Sequence, residues 1–150
     1  MNDQRIDKTT RLVRFILFDG TMLEGEVFLR LFEARHSGPQ RLGELLNDDD
    51  DPFIPLRCDA STLLVNRDRI MMATTSLAEE LDELFLLGTR HQVTLSTLHK
   101  ESLEGEIYVN LPQGSSRAKD YFNQDLTFYT LIKGETVYYI HRSFILTVQD

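Results

Sequence analysis

Alternation of apolar and polar positions dominates the chain. Val93, Leu95 and Thr97 alternate with Gln92, Thr94 and Ser96, the period of two that marks a half-buried strand. Just beyond, Leu103, Gly105, Ile107, Val109 and Leu111 fall on one face, with Glu104, Glu106 and Asn110 opposite. Gly25 and Gly105 stand mid-strand, where glycine marks a bulge or sharp bend, and bending is what a short barrel needs to close. Three short strands are predicted near 53–58, 61–66 and 69–73, and three more near 127–132, 136–141 and 143–148. The stretches 41–47 and 117–123 each predict one helical turn, ending at Asn47 and Asn123, a residue type that tolerates left-handed cap geometry. Asp19-Gly20 and Lys133-Gly134-Glu135 are hairpin-turn signals. His99-Lys100 lacks the glycine, so a different turn is expected there.

The same pattern occurs twice. Leu23-Glu24-Gly25-Glu26-Val27 returns as Leu103-Glu104-Gly105-Glu106-Ile107, an offset of 80 that also brings Val13 to Val93 and Phe15 to Leu95. Arg41 to Asn47 faces Arg117 to Asn123 at an offset of 76. At an offset of 75, Phe53 meets Phe128, Leu56 meets Leu131, Val65 meets Ile140 and Ile70 meets Ile145. The offset changes only where each half reads as loop, where length changes are tolerated. A tandem duplication follows, with a period that suits two domains better than a solenoid.

Between the copies, Ser76-Leu77-Ala78-Glu79 is a capping-box signature. Leu77, Leu81, Leu84 and Phe85 keep helical spacing up to Gly88, which predicts an amphipathic linker helix over 77–87. The expected organisation is a first small β-barrel repeat over 1–75, a linker over 76–88, and a second repeat over 89–150.

The segment Asp19-Gly20-Thr21-Met22-Leu23-Glu24-Gly25 resembles the first motif of the Sm-like barrels, the Sm, LSm and Hfq group, in which a D-G turn precedes the bend glycine of the second strand. The spacing from Ile140 to Ile145 is similar to the apolar anchors of that group's second motif, and the strand order is similar over about 60 residues of each half. The resemblance implies a mainly-β fold of two tandem Sm-like five-stranded barrels. It implies no activity. The group's Asp-x-x-x-Asn is absent after Leu31 and Leu111, and its Arg-Gly or Lys-His element is replaced by Asn66-Arg67 and His141-Arg142. Arg41-Leu42-Gly43-Glu44-Leu45-Leu46-Asn47 looks more like the R-L-x-D-x-L-N segment of an uncharacterised bacterial domain of unknown function.

Charge and cysteine usage narrow the partners. The 150 residues carry 16 basic and 24 acidic side chains, a net charge of −8, the wrong sign for binding a phosphate backbone. Cys58 is the sole cysteine, which excludes a disulfide framework and fits a reducing cytoplasm. No apolar run approaches the roughly 20 residues of a membrane span, and the polar opening from Met1 to Thr10 does not read as a signal peptide. A cytoplasmic protein without membrane contact is expected.

Candidate chemistry is sparse. His36, His91, His99 and His141 show no helical i, i+4 pair, so no metal site is expected. The run Asp48-Asp49-Asp50-Asp51 lacks the alternation, central glycine and terminal glutamate of a calcium loop. Glu24/Glu26 and Glu104/Glu106 recur in both halves, but as i, i+2 pairs they share a solvated strand face. Cys58 has no neighbouring base, and neither a G-x-S-x-G elbow nor a phosphate loop is present. No cofactor and no enzymatic activity are expected.

Two asymmetries between the copies point to contact surfaces instead. Leu12, Ile16, Phe18, Met22 and Phe28 are predicted to face outward from the first barrel, where most of their counterparts are polar. Such a cluster must be covered by the linker helix, the second barrel or another chain. All five tyrosines, Tyr108, Tyr121, Tyr129, Tyr138 and Tyr139, lie in the second copy, and tyrosine is enriched at interfaces. Ile16, Phe18, Phe28, Tyr108 and Tyr139 are the candidate interface residues. The expected function is a non-enzymatic protein-interaction or regulatory module that self-associates or binds a protein partner. The alternatives are an Sm-like single-stranded nucleic-acid-binding protein and a small-molecule-binding or enzymatic domain.

Overall fold

Strand pairing organises the chain. The computed structural model describes residues 8–33, 36, 38–48 and 50–150. Its first half contains β1 (Lys8–Leu17), β2 (Met22–Arg30), α1 (Leu42–Leu46), β3 (Phe53–Cys58), β4 (Ser61–Asn66) and β5 (Ile70–Ser76). After α2 (Leu77–Glu80), the second half contains β6 (Thr89–Thr97), β7 (Ser102–Val109), α3 (Ala118–Phe122), β8 (Phe128–Lys133), β9 (Thr136–His141) and β10 (Ile145–Gln149). No helix among the described residues is long and apolar enough to cross a membrane.

The protein is mainly β, but the strands do not close into two barrels. Among the described residues they form one antiparallel sheet in the order β10-β6-β7-β8-β9-β5-β1-β2-β3-β4. The reason lies at the middle of the sheet. There β5 pairs with β9 from Met72↔Ile140 to Ser76↔Thr136, so a strand edge that could have closed one half is taken by the other.

The pairing registers of the two halves coincide. Val13↔Gly25 matches Val93↔Gly105, Leu56↔Leu63 matches Leu131↔Tyr138, and Leu17↔Ile70 matches Thr97↔Ile145. The mid-strand glycines explain how β3 and β8 come so close to β2 and β7. A Cβ on Gly25 would lie 2.5 Å from the Arg57 carbonyl oxygen, and one on Gly105 would lie 2.7 Å from that of Ile132. Only hydrogen fits, so the strand can bend there and meet its neighbour at a single register position, Glu26↔Arg57 or Glu106↔Ile132.

Several local expectations change. The 99–100 turn matches the 19–20 turn, because Lys100 takes a φ of 63° where Gly20 takes 91°. Each turn residue donates to a matching carbonyl, Gly20 N to Leu17 O and Lys100 N to Thr97 O, both at 2.9 Å. The hairpin closure dictates the geometry whether or not glycine is present. Asn47 and Asn123 have φ of −92° and −101°, not left-handed values. The expected helix over 77–87 stops at Glu80, since Leu81 is extended. Ser76 makes no side-chain cap bond, and Glu79 instead faces Arg11 at 3.0 Å.

Two apolar clusters fill the molecule, and each crosses the midpoint of the chain. The first joins Val13, Phe15, Val27, Leu29 and Leu56 to Phe128, Ile132, Val137 and Tyr139 of the second half. The second joins Val93, Leu95, Ile107, Leu131 and Ile140 to Met71 and Met72 of the first half. The β8–β9 hairpin is therefore buried on both faces, one against its own half and one against its neighbour.

Candidate functional site

The joint between the halves carries the densest polar network. Tyr139 is directed from β9 into the first half, where Gly43 of α1 lies against its ring; a Cβ at Gly43 would come within 2.5 Å of Tyr139 Cε1. The Tyr139 hydroxyl donates to Glu80, whose carboxylate is also paired with Arg11 of β1. The Leu42 amide, in the first turn of α1, donates to Glu80 Oε1 and Oε2 at 3.0 and 3.1 Å. One carboxylate thus ties β1, α1 and β9 together.

Two residues on, Asp82 receives a two-pronged bond from Arg41, with Nε and Nη2 both at 2.7 Å. His36 Nδ1 lies 3.2 Å from the same carboxylate, and His36 Nε2 lies 2.9 Å from Glu44. The Arg41 guanidinium sits over the Phe85 ring at 5.1 Å, a favourable placement for a cation. These bonds explain the short helix. Placing Glu80 inward and Asp82 against Arg41 requires the extended backbone found at Leu81.

Burial pushes the Glu80 carboxyl above its ordinary range, outweighing the hydrogen bonds from Tyr139 and the Leu42 amide and the attraction of Arg11. Burial and the neighbouring Glu80 carboxylate drive the Tyr139 phenol well up. For Asp82, burial also acts upward, but the bonds from Arg41 and the Leu84 amide prevail and hold it below the usual carboxylate value. The charged groups of the joint are paired, which is the condition for burying them, although Arg11 Nε, 3.0 Å from Glu79, makes no hydrogen bond.

A second feature lies at the free end of the first half. Leu17, Leu23, Leu63, Val65, Asn66 and Arg69 line a mostly apolar groove of about 460 Å³ beside the edge strand β4. The equivalent positions of the second half lie in its apolar cluster, together with residues of the first half. Met71, Met72, Ile16 and Phe18 of the first half share that cluster with Leu103, Tyr138 and Ile140. Phe18 meets the rings of His141 and Phe144 edge-on at 5.4 and 6.4 Å.

The candidate interface residues separate accordingly. Ile16 and Phe18 lie outside the first core and pack, half-buried, against the second cluster, Phe18 also lining the open groove. Tyr139 is buried inside the chain, so it is not an outward contact residue. Tyr108 packs partly against the first cluster, and Phe28 lies under the Arg57 guanidinium at 5.6 Å. Leu12 and Met22 are exposed.

The remaining candidates stand apart. Glu24 pairs with Arg14 and Glu26 with Arg57, each at 2.6 Å on the surface. His91 Nε2 donates to the Ser116 carbonyl at 2.6 Å. Cys58 is a free, half-buried thiol packed against the first cluster. Asp48 accepts from the Asp50 amide in a local turn, while Asp49 lies outside the described residues. Among the described residues no group of three or more His, Cys, Asp and Glu is arranged to hold a metal ion.

The network of Arg11, Glu80 and Tyr139 was invisible in the sequence pattern. Neither Arg11 nor Glu80 belongs to any motif, and the ion pair that joins them spans 69 positions. Comparison with protein-family models, curated proteins and solved structures finds no significant match to this chain.

Proposed function

We propose that this protein is a non-enzymatic interaction module of the cytoplasm that self-associates through the edges of its sheet. In this reading it is a tandem duplication of two Sm-like small β units. The coinciding registers of the halves support the duplication. One observation carries the function: both outer strands bear exposed leucines, Leu63 and Leu64 on β4 and Leu146 on β10. A solvated edge strand is ordinarily blunted with charge or proline, and unpaired edges bind by adding a strand. Glu80 reaches across to Tyr139 of the second half, and the other charged groups of the joint tie the segment after β5 to the first half, which favours a structural role for them.

Multi-angle light scattering over a wide concentration range tests the reading. A mass rising above 17.4 kDa with concentration is expected, and a monomer throughout overturns it. Fluorescence anisotropy with a short single-stranded RNA is expected to stay flat at low salt. Binding that collapses as salt rises would favour nucleic-acid binding instead.

A further inference from the structure

The chain contains, in its own interior, a solved example of the joint that its free edges lack. The fourth strand of the second half, β9, pairs with the fifth strand of the first half, β5. The strands left at the two ends of the sheet are the fourth strand of the first half, β4, and the fifth strand of the second half, β10. They are the same two strand types with the halves exchanged.

Their backbones are set correspondingly. Phe53↔Asn66 through Cys58↔Ser61 on β3–β4 match Phe128↔His141 through Lys133↔Thr136 on β8–β9. Ile16↔Met72 and Leu17↔Ile70 match Ser96↔Thr147 and Thr97↔Ile145. Both fifth strands shift register at the same place, so Met71 and Leu146 are the equivalent extra residues.

The side chains that fill the joint have unfilled equivalents at the edges. Met71 is 3% exposed in the second cluster, and Leu146 is 57% exposed. Tyr139 is 1% exposed in the first cluster, and Leu64 is 66% exposed. Phe18 packs, half-buried, against the second cluster, while its counterpart Leu98 is exposed. The equivalent positions of the second half share their cluster with Met71 and Phe18; the groove of the first half, beside β4, is open.

We infer that a second copy of this chain occupies the β4 edge, adding its β10 antiparallel in the register of the internal joint, Val65↔Thr147, Leu64↔Val148 and Leu63↔Gln149. Leu146 and Leu98 of the incoming copy enter the groove formed by Leu17, Leu23, Leu63 and Val65, in the places that Met71 and Phe18 take within the chain. Because β4 and β10 are different surfaces, the contact is head-to-tail, and its repetition closes a ring or extends a filament. The inference rests on the self-association reading and specifies its geometry.

Disulfide trapping tests it in the full chain carrying Cys58→Ser. Directly opposed residues of an antiparallel pair have Cα atoms about 4.5–5.5 Å apart, within disulfide reach. Leu64→Cys with Val148→Cys is expected to give a ladder of covalent multimers, at least about tenfold above Ser61→Cys with Thr147→Cys, which is out of register. Mixing the two single variants is expected to give mixed dimers only. Equal trapping of the out-of-register pair, or of Leu64→Cys alone, overturns the inference, as does the absence of trapping. Leu146→Asp, on an exposed side chain, is expected to weaken association at least about tenfold with an unchanged circular dichroism spectrum; unchanged association counts against the groove. Multimers in light scattering without selective trapping would leave self-association standing and remove this register. A monomer would remove both.

Discussion

Leu64 and Tyr139 hold the same place in equivalent strands, and so do Phe53 and Phe128, yet the environments are opposite. Phe128 is fully buried and Phe53 is 50% exposed. The registers that position them agree, so local conformation is not the cause. The difference is what lies on the outer face of the hairpin: β8–β9 has the first half against it, and β3–β4 has solvent. Composition follows partway. Ile132 and Val137 at the joint correspond to Arg57 and Thr62 at the edge, and Arg57 is held there by Glu26 at 2.6 Å. Burial, rather than strand pattern, separates a core tyrosine from an edge leucine.

The comparison can be broken most severely at the buried charge. Glu80→Ala leaves Arg11 facing only Glu79 and orphans the Tyr139 hydroxyl. A loss of about 3–5 kcal/mol in urea unfolding is expected, the range for removing one partner of a buried pair. The exposed pair Arg14–Glu24 provides the contrast: Glu24→Ala is expected to change stability by no more than about 0.5–1 kcal/mol.

Truncation sharpens the contrast between joint and edge. Tyr139→Ala is expected to cost about 3–5 kcal/mol and Met71→Ala about 2–5 kcal/mol. Leu64→Ala and Leu146→Ala, measured in dilute protein, are expected to stay within about 0.5 kcal/mol. Equal losses in both sets would mean that the edges are covered in the dilute chain.

A smaller effect is expected at Gly43, where an added methyl meets the Tyr139 ring. Gly43→Ala is expected to destabilise by about 1–3 kcal/mol, the usual range for overpacking. Its counterpart Lys119 is exposed, so Lys119→Ala should leave the urea midpoint nearly unchanged.

The pH responses are the finest probe, because the two joint carboxylates act in opposite directions. Glu80 is raised in the folded state, so its contribution is fully present below the ordinary value of 4.5 and is lost as pH climbs through the folded value. Asp82 is lowered, so its contribution is present above 3.8 and lost as pH falls through the folded value. Unfolding midpoints across pH 3–8 are expected to decline less toward neutral pH in Glu80→Gln than in the parent. Asp82→Asn is expected to lose stability mainly above pH 3.8 and to converge on the parent in stronger acid. Tyr139, raised well above 10, adds a contribution lost in alkali, and Tyr139→Phe should blunt that alkaline loss.

Much of the strand framework was legible in the chain. The period-two alternation around Val93 and Leu103 and the two Leu-Glu-Gly-Glu segments located strands and bends, because side-chain alternation and the missing Cβ are local properties. The end of the helix at Glu80 was not legible, since the spacing of Leu77, Leu81, Leu84 and Phe85 suits a helix over 77–87. Ion pairs with Arg11 and Arg41, distant in sequence, extend the backbone after Glu80. Leu81 and Leu84 are consequently exposed. Ile16 and Phe18 were legible as residues leaving the first core, but not as residues entering the second.

By itself, the order of residues determined which segments extend, where they turn, and which side chains share a strand face. Those outcomes depend on neighbours one to four positions away. Tertiary structure decided that β9 joins β5 instead of each half closing on itself. It also placed Tyr139 and Met71 in each other's half and made Glu80 a buried anchor. Such outcomes depend on surfaces brought together from residues 59 to 69 positions apart, and short-range periodicity carries no record of which face a distant strand will cover.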